Sequence, residues 1–162
     1  MVLIMNTNTQ PTIAVSSCLL GNKVRYDGRH KLNNIIVDEV SKHFQLIAFC
    51  PECDIGLGVP RTPIELIKQN DIYRVIEKNR QAKDVTDLLI NAANRFLKKN
   101  NGLNGIIFKS NSPSCGINHG IFATKIQQLC NSLPVVEEIT LENREDREEF
   151  YSRVISYHAE NQ

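Results

Sequence analysis

The sequence predicts a single α/β domain: a mainly parallel, open, Rossmann-like sheet with helices on both faces. Its 162 residues suit one domain with one core. Short apolar runs of strand length alternate with longer segments that carry an apolar stripe at helical spacing. This alternation is typical of parallel sheets with right-handed crossovers, and no repeat or linker divides the chain. We expect residues 12–162 to form the domain and residues 1–11 to be a flexible segment.

The predicted strands are the apolar, β-prone runs of the chain. Residues 12–15 (TIAV) and 45–49 (QLIAF) form the first two, and residues 105–108 (GIIF) and 134–138 the later two. Residues 64–76 alternate around a polar Gln-Asn-Asp turn, which predicts a hairpin or an excursion from the main sheet.

Four helices are predicted from apolar periodicity and capping residues. Residues 32–43 form the first, and Asp84 is the predicted N-cap of the second. Residues 125–133 form a short third helix, and Asn143 caps a final helix that runs to about Ala159. The second helix carries an apolar stripe formed by Val85, Leu88, Leu89, Ala92, Phe96 and Leu97.

Cysteines are the most informative residues. Cys18, Cys50 and Cys115 each come close after a predicted strand, and the carboxyl ends of parallel strands meet at one edge of the sheet, where ligands bind. We therefore expect these three thiols to converge, rather than to act as small apolar residues of the core. Cys53 completes a C-x-x-C motif with Cys50 and is either a spare thiol or a fourth ligand. Cys130, on the apolar side of a short helix, is predicted to be a core residue.

Three converging thiols are compatible with several chemistries. Thiolates are soft ligands for zinc, copper(I) or iron–sulfur clusters, and three protein ligands leave one coordination position open, as in catalytic metal sites. One alternative is a thiol oxidoreductase that uses Cys50 and Cys53. Another is a protein that binds zinc or a cluster without catalysis.

Three blocks of the sequence resemble the DUF523 family, which includes bacterial thiouracil desulfidases: SSCLLGNKVRYDGRHK, FCPECDIGLGVPRTPIEL and KSNSPSCG. The resemblance implies a [4Fe-4S] cluster held by Cys18, Cys50 and Cys115, with one open iron. It also implies an enzyme in which that iron takes the sulfur of a thiolated pyrimidine and water replaces the sulfur without net redox chemistry. An open iron is exposed to oxidation, so the cluster is expected to be lost in air.

Two further residues of these blocks are candidate catalytic groups. Glu52 lies two residues after Cys50, where a carboxylate can take a proton from the attacking water. Ser112 lies three residues before Cys115, where a hydroxyl can hold the pyrimidine ring or the departing sulfur. The alternative roles are an ion pair with Arg61 for Glu52 and a turn-forming hydrogen bond for Ser112.

Charge and composition limit the other partners. The net charge is +1, with 19 basic and 18 acidic residues, so charge gives no support for nucleic-acid binding, which nonetheless stays possible. No apolar run is long enough for a membrane span or a signal peptide. We expect a cytoplasmic protein whose cysteines stay reduced. The sequence leaves open whether the substrate is a free base, a nucleoside or tRNA, and also the oligomeric state.

Overall fold

The computed structural model describes residues 9–162. Within this range the strands are β1 (Thr12–Ser16), β2 (Gln45–Phe49), β3 (Ile64–Gln69), β4 (Ile72–Glu77), β5 (Gly105–Phe108) and β6 (Val135–Glu137). The α-helices are α1 (Asn34–Asp38), α2 (Pro51–Asp54), α3 (Thr86–Lys99), α4 (Ile121–Leu129) and α5 (Arg144–Glu160). Three short 3-10 helices cover Ser17–Leu20, Val40–Lys42 and Glu138–Glu142.

The main sheet is open and wholly parallel. Its strand order is β2-β1-β5-β6, so β1 pairs with both β2 and β5. Strands β3 and β4 form a separate antiparallel hairpin. The predicted fold class is therefore confirmed, and so is the predicted hairpin.

Side chains alternate along the buried strands and fill two cores, one on each face of the sheet. On one face, Ile13 and Ile107 pack with Phe150 of α5. On the other face, Ile106 and Phe108 pack with residues of α3 and α4. Helices thus cover both faces, as an all-parallel sheet requires.

Gly105, the first residue of β5, allows α5 to lie close against the sheet. A Cβ at this position would lie 3.0 Å from Val154 Cγ2, a side-chain atom of α5. The glycine therefore removes a steric conflict at the start of the strand whose other end leads into the Cys115 loop.

Several predicted helix boundaries were wrong. The predicted helix 32–43 is split at Glu39 into α1 and a 3-10 turn. Helix α4 begins at Ile121, four residues before the predicted start, and ends before Cys130, so that cysteine is its C-cap. The N-cap of α3 is Val85, one residue after the predicted Asp84. Asp84 Oδ1 still accepts a hydrogen bond from the Thr86 amide at 2.9 Å, and its Oδ2 pairs with Arg74 Nε at 2.7 Å. The Asn143 cap was predicted correctly, because its side chain accepts a hydrogen bond from the Asp146 amide.

Two further predictions concern the N-terminal segment and the presence of a membrane-spanning helix. The predicted flexible segment 1–11 lies largely outside the described residues; at its end, the Pro11 carbonyl accepts a hydrogen bond from the Gln45 amide at 2.9 Å. Between residues 9 and 162, no helix has both the length and the apolar character that crossing a bilayer demands.

Candidate active site

A cavity of about 290 Å³ opens at the carboxyl ends of β1, β2 and β5. Cys18 lines it from the 3-10 helix after β1, Cys50 from the position directly after β2, and Cys115 from the loop after β5. The topology thus brings together three cysteines that are far apart in the sequence, at the sheet edge where parallel α/β folds bind ligands.

Burial dominates the protonation of these thiols. It raises the pKa of Cys115 and of Cys50 to about 12, and it also raises the pKa of Cys18. For Cys18 the positive charges of Arg25 and Lys109 act in the opposite direction. The attacking cysteine of a dithiol oxidoreductase usually has a lowered pKa, which Cys50 lacks.

Three thiols that line one cavity are soft donors of the type that iron–sulfur clusters use. Among residues 9–162, no three Cys, His, Asp or Glu side chains lie close enough together to surround a single metal ion. The cysteines of a four-iron cluster each bind a different iron.

The Glu52 carboxylate is held from two sides. Its Oε2 accepts hydrogen bonds from Arg61 Nε at 2.8 Å and Nη2 at 2.7 Å, and its Oε1 accepts one from Ser114 Oγ at 3.0 Å. The side chains of Arg61 and Glu52 are only 5% and 14% exposed, so this ion pair is largely shielded from water. Helix α2 carries Glu52 in its first turn, directly after Cys50, and thereby fixes the carboxylate relative to that thiol.

Ser112 and Ser114 form a short polar chain in the Cys115 loop. Ser112 Oγ accepts hydrogen bonds from the Cys115 amide at 3.0 Å and the Ser114 amide at 3.3 Å. Because both lone pairs of Ser112 Oγ are used, its hydroxyl can act only as a donor toward Ser114 Oγ, which lies 3.1 Å away. Ser114 in turn donates to Glu52. Ser112 lines the cavity, and its two hydrogen bonds from loop amides match the turn-forming alternative. Ser114, which sequence reasoning missed, makes the contact with Glu52.

A buried carboxylate anchors the start of the same loop. Glu138 accepts hydrogen bonds from the Ser110 amide at 2.6 Å and the Ser110 hydroxyl at 2.8 Å, and it pairs with Lys109 Nζ at 2.8 Å. The Lys109 amide also donates to Ser16 Oγ at the end of β1, at 2.9 Å. These contacts hold the loop after β5 against the end of β1 and the 3-10 helix that follows β6. No local motif in the sequence indicates the pairing with Glu138.

The remaining wall of the cavity comes from the loop after Cys18. Arg25, Tyr26 and Lys31 line the cavity from this loop. The Lys31 amide donates to the Cys18 carbonyl at 2.8 Å, which folds the loop back onto the turn that carries Cys18.

Cys53 and Cys130 do not line the cavity, although Cys53 is a neighbour of Cys50. Cys53 is absent from the cavity lining; its Sγ lies 3.8 Å from Arg61 Nη1 and 3.9 Å from the Val24 carbonyl oxygen. Cys130 is partly buried, with its Sγ 3.6 Å from the Tyr157 hydroxyl, and packs against the core. Neither thiol joins the three that share the cavity.

Comparison with known proteins places the chain in a family. A sequence model of the family described as 2-thiouracil desulfurase matches residues 13–139. This chain belongs to the 2-thiouracil desulfurase family. The family and the enzyme class predicted from the sequence are therefore confirmed. The match runs from the second residue of β1 to the start of the last 3-10 helix, so it contains all but one residue of the sheet and all the cavity loops.

Two similar proteins are informative. YbbK of Bacillus subtilis (strain 168), described as uncharacterized, is 36% identical over 122 residues, which cover 70% of this chain and 80% of YbbK. The solved structure of TudS (DUF523Vcz), described as a [4Fe-4S]-dependent thiouracil desulfidase, matches with a TM-score of 0.67 and 29% identity. That match covers 82% of this chain and 93% of the TudS chain.

Proposed function

We propose that this chain is an iron–sulfur-dependent desulfidase that removes sulfur from a thiolated pyrimidine, of the thiouracil or thiouridine class, by hydrolysis. One observation carries the proposal: three thiols and a carboxylate line a single cavity in a member of the 2-thiouracil desulfurase family. The described relative TudS, a [4Fe-4S]-dependent thiouracil desulfidase, supports the cofactor. A cytoplasmic location is part of the proposal, because a reducing compartment keeps the thiols available for iron.

Cys18, Cys50 and Cys115 are the proposed ligands of a [4Fe-4S] cluster with one open iron. When bound, such a cluster supplies a Lewis-acidic iron that can accept the substrate's sulfur. The buried thiols lose their protons on ligation, so three thiolate charges enter a partly buried site together with the positive charge of the cluster core. The positive charges of Arg25 and Lys109, which act on Cys18, also favour the thiolate form.

The overall reaction balances without electron transfer. The carbon–sulfur bond of the thiopyrimidine breaks, and the oxygen of water forms the new bond to the same ring carbon. Both protons of that water leave with the sulfur as hydrogen sulfide. A group of the protein must take the first proton as water attacks.

Glu52 is the proposed general base. Arg61 and Ser114 fix the carboxylate, so that little reorganisation is needed when water approaches. Glu52 Oε1 accepts one hydrogen bond, from Ser114. A carboxylate oxygen has two lone pairs, so the second lone pair of Oε1 can accept a hydrogen bond from water. Ser112 is the proposed contact to the pyrimidine ring or the departing sulfur; to make it, the hydroxyl proton of Ser112 turns from Ser114 Oγ toward the ligand.

Anaerobic reconstitution with iron and sulfide tests the proposal. The loaded protein should convert 2-thiouracil to uracil and release one sulfide per uracil, and the iron-free protein should do neither. Parallel assays with 2-thiouridine and with thiolated tRNA decide between free base, nucleoside and nucleic acid. A loaded protein that holds iron but releases no sulfide from any of these would instead be a cluster-binding protein without this activity.

A further inference from the structure

Tyr26 is the aromatic side chain at the mouth of the cavity. Its side chain lines the cavity and is 41% exposed, so part of the ring is open to a ligand that enters there. Bases of any identity can stack on such aromatic side chains, because every base presents a π-face.

The backbone of Tyr26 is fixed by the same arginine that holds the proposed base. The Arg61 amide donates to the Tyr26 carbonyl at 2.9 Å, and Arg61 Nη1 donates to the Val24 carbonyl at 2.8 Å. The Nε and Nη2 atoms of Arg61 hold Glu52. One residue therefore contacts both the backbone that carries Tyr26 and the Glu52 carboxylate.

The turn that carries Tyr26 is also closed locally. The Gly28 amide donates to the Arg25 carbonyl at 2.9 Å, and Gly28 has a φ of +72°, which an L residue rarely adopts. The Arg25 guanidinium lies over the Tyr26 ring, 5.7 Å from its centroid, and restricts the orientation of the ring.

We propose that Tyr26 stacks on the pyrimidine ring of the substrate and is a main determinant of its affinity. The inference rests on the proposed function, since it assumes a pyrimidine ligand. Arg61 then acts as a positioning residue, because it aligns the stacked ring with Glu52. The phenol oxygen is not needed for stacking, whereas the planar ring is.

The test measures equilibrium binding of uracil, the product, to the cluster-loaded protein by calorimetry. Tyr26→Ala should weaken uracil binding by roughly 5- to 150-fold, the usual effect of removing one stacking aromatic. Tyr26→Phe should retain most of the affinity. In turnover of 2-thiouracil, Tyr26→Ala should raise KM by a similar factor and change kcat less. Iron content and melting temperature are measured for each variant, and Tyr26→Leu serves if the alanine variant does not fold.

Tyr73 is a matched control. It is also 41% exposed, but it lies on β4 beside His119 and does not line the cavity. Tyr73→Ala should bind uracil as the wild type does. If wild-type protein binds uracil and Tyr26→Ala and Tyr26→Leu bind it equally well, the role of Tyr26 is overturned and the proposed function stands. If loaded wild-type protein neither binds uracil nor releases sulfide, both proposals fail.

Discussion

The Ser114 hydroxyl lies 3.0 Å from Glu52 Oε1, although the two residues are 62 positions apart in the chain. Helix α2 after β2 supplies the carboxylate, and the loop after β5 supplies the hydroxyl. Each partner stands within two residues of a proposed cluster ligand. The hydrogen bond therefore links two of the ligand-bearing segments through the proposed catalytic base.

Arg61 is expected to stabilise the fold as well as the site. Its side chain is nearly buried and makes four hydrogen bonds to the Glu52 carboxylate and to the carbonyls of Val24 and Gly58. Arg61→Met keeps the aliphatic stem but leaves the carboxylate without its counter-ion, so unfolding should need about 3–5 kcal/mol less. Urea denaturation of the iron-free protein measures this change.

Helix α2, which carries Glu52, offers a control for the Arg61 prediction. Arg95 pairs with Asp54 of α2 at 3.3 Å, but both side chains are 59% exposed. Arg95→Met should therefore cost less than about 1 kcal/mol. Equal losses in the two variants would mean that the burial of the Arg61–Glu52 pair has no energetic consequence.

Iron retention should separate the five cysteines into two groups. Cys18→Ala, Cys50→Ala and Cys115→Ala should each abolish it, because no neighbouring side chain offers an equivalent soft donor. Cys53→Ala and Cys130→Ala should retain iron, because neither thiol lines the cavity. Iron is measured per chain after anaerobic reconstitution. Loss of iron in Cys53→Ala would point to ligation by four cysteines and a closed site.

Local sequence was sufficient for the sheet and for the meeting of the three thiols. Strands β2 and β5 have the predicted bounds, because each is a short apolar run that ends at a polar or turn-forming residue. The three cysteines follow such strands in the sequence, and the carboxyl ends of parallel strands lie at one edge of the sheet. These two facts were enough to predict that the thiols meet.

Tertiary contacts explain what the sequence did not predict. Asp84 has the residue type of an N-cap, but its pairing with Arg74 of the hairpin lies outside local propensity. The contacts of Ser114 with Glu52 and of Ser110 with Glu138 join residues 62 and 28 positions apart. Side-chain pairs at such separations depend on the packing of the loops, which no local pattern encodes.

Glu52→Gln should separate cofactor binding from catalysis. Glutamine is nearly isosteric and its amide oxygen can still accept hydrogen bonds, but it cannot take a proton from water. The variant should therefore retain its iron and its brown colour while sulfide release from 2-thiouracil slows by roughly 10²- to 10⁴-fold. Iron content and sulfide release are measured on the same preparation. A fully loaded variant with the wild-type rate would remove Glu52 from the mechanism.

Ser114→Ala tests whether the hydroxyl acts through Glu52. Ser114 is 1% exposed and does not ligate iron in the proposed scheme, so the variant should still load with iron. Without its hydroxyl the carboxylate loses one of its two anchors, and we expect kcat to fall roughly tenfold, equivalent to about 1.4 kcal/mol of activation free energy.

The decisive comparison is the double variant. If Ser114 acts only by orienting the Glu52 carboxylate, its removal has no further effect once that carboxylate is gone, because residues that act as a unit are not additive. Glu52→Gln/Ser114→Ala should then turn over 2-thiouracil at the rate of Glu52→Gln alone. A further tenfold loss in the double variant would show that the Ser114 hydroxyl contributes independently of Glu52, for example through its contact with Ser112 at 3.1 Å.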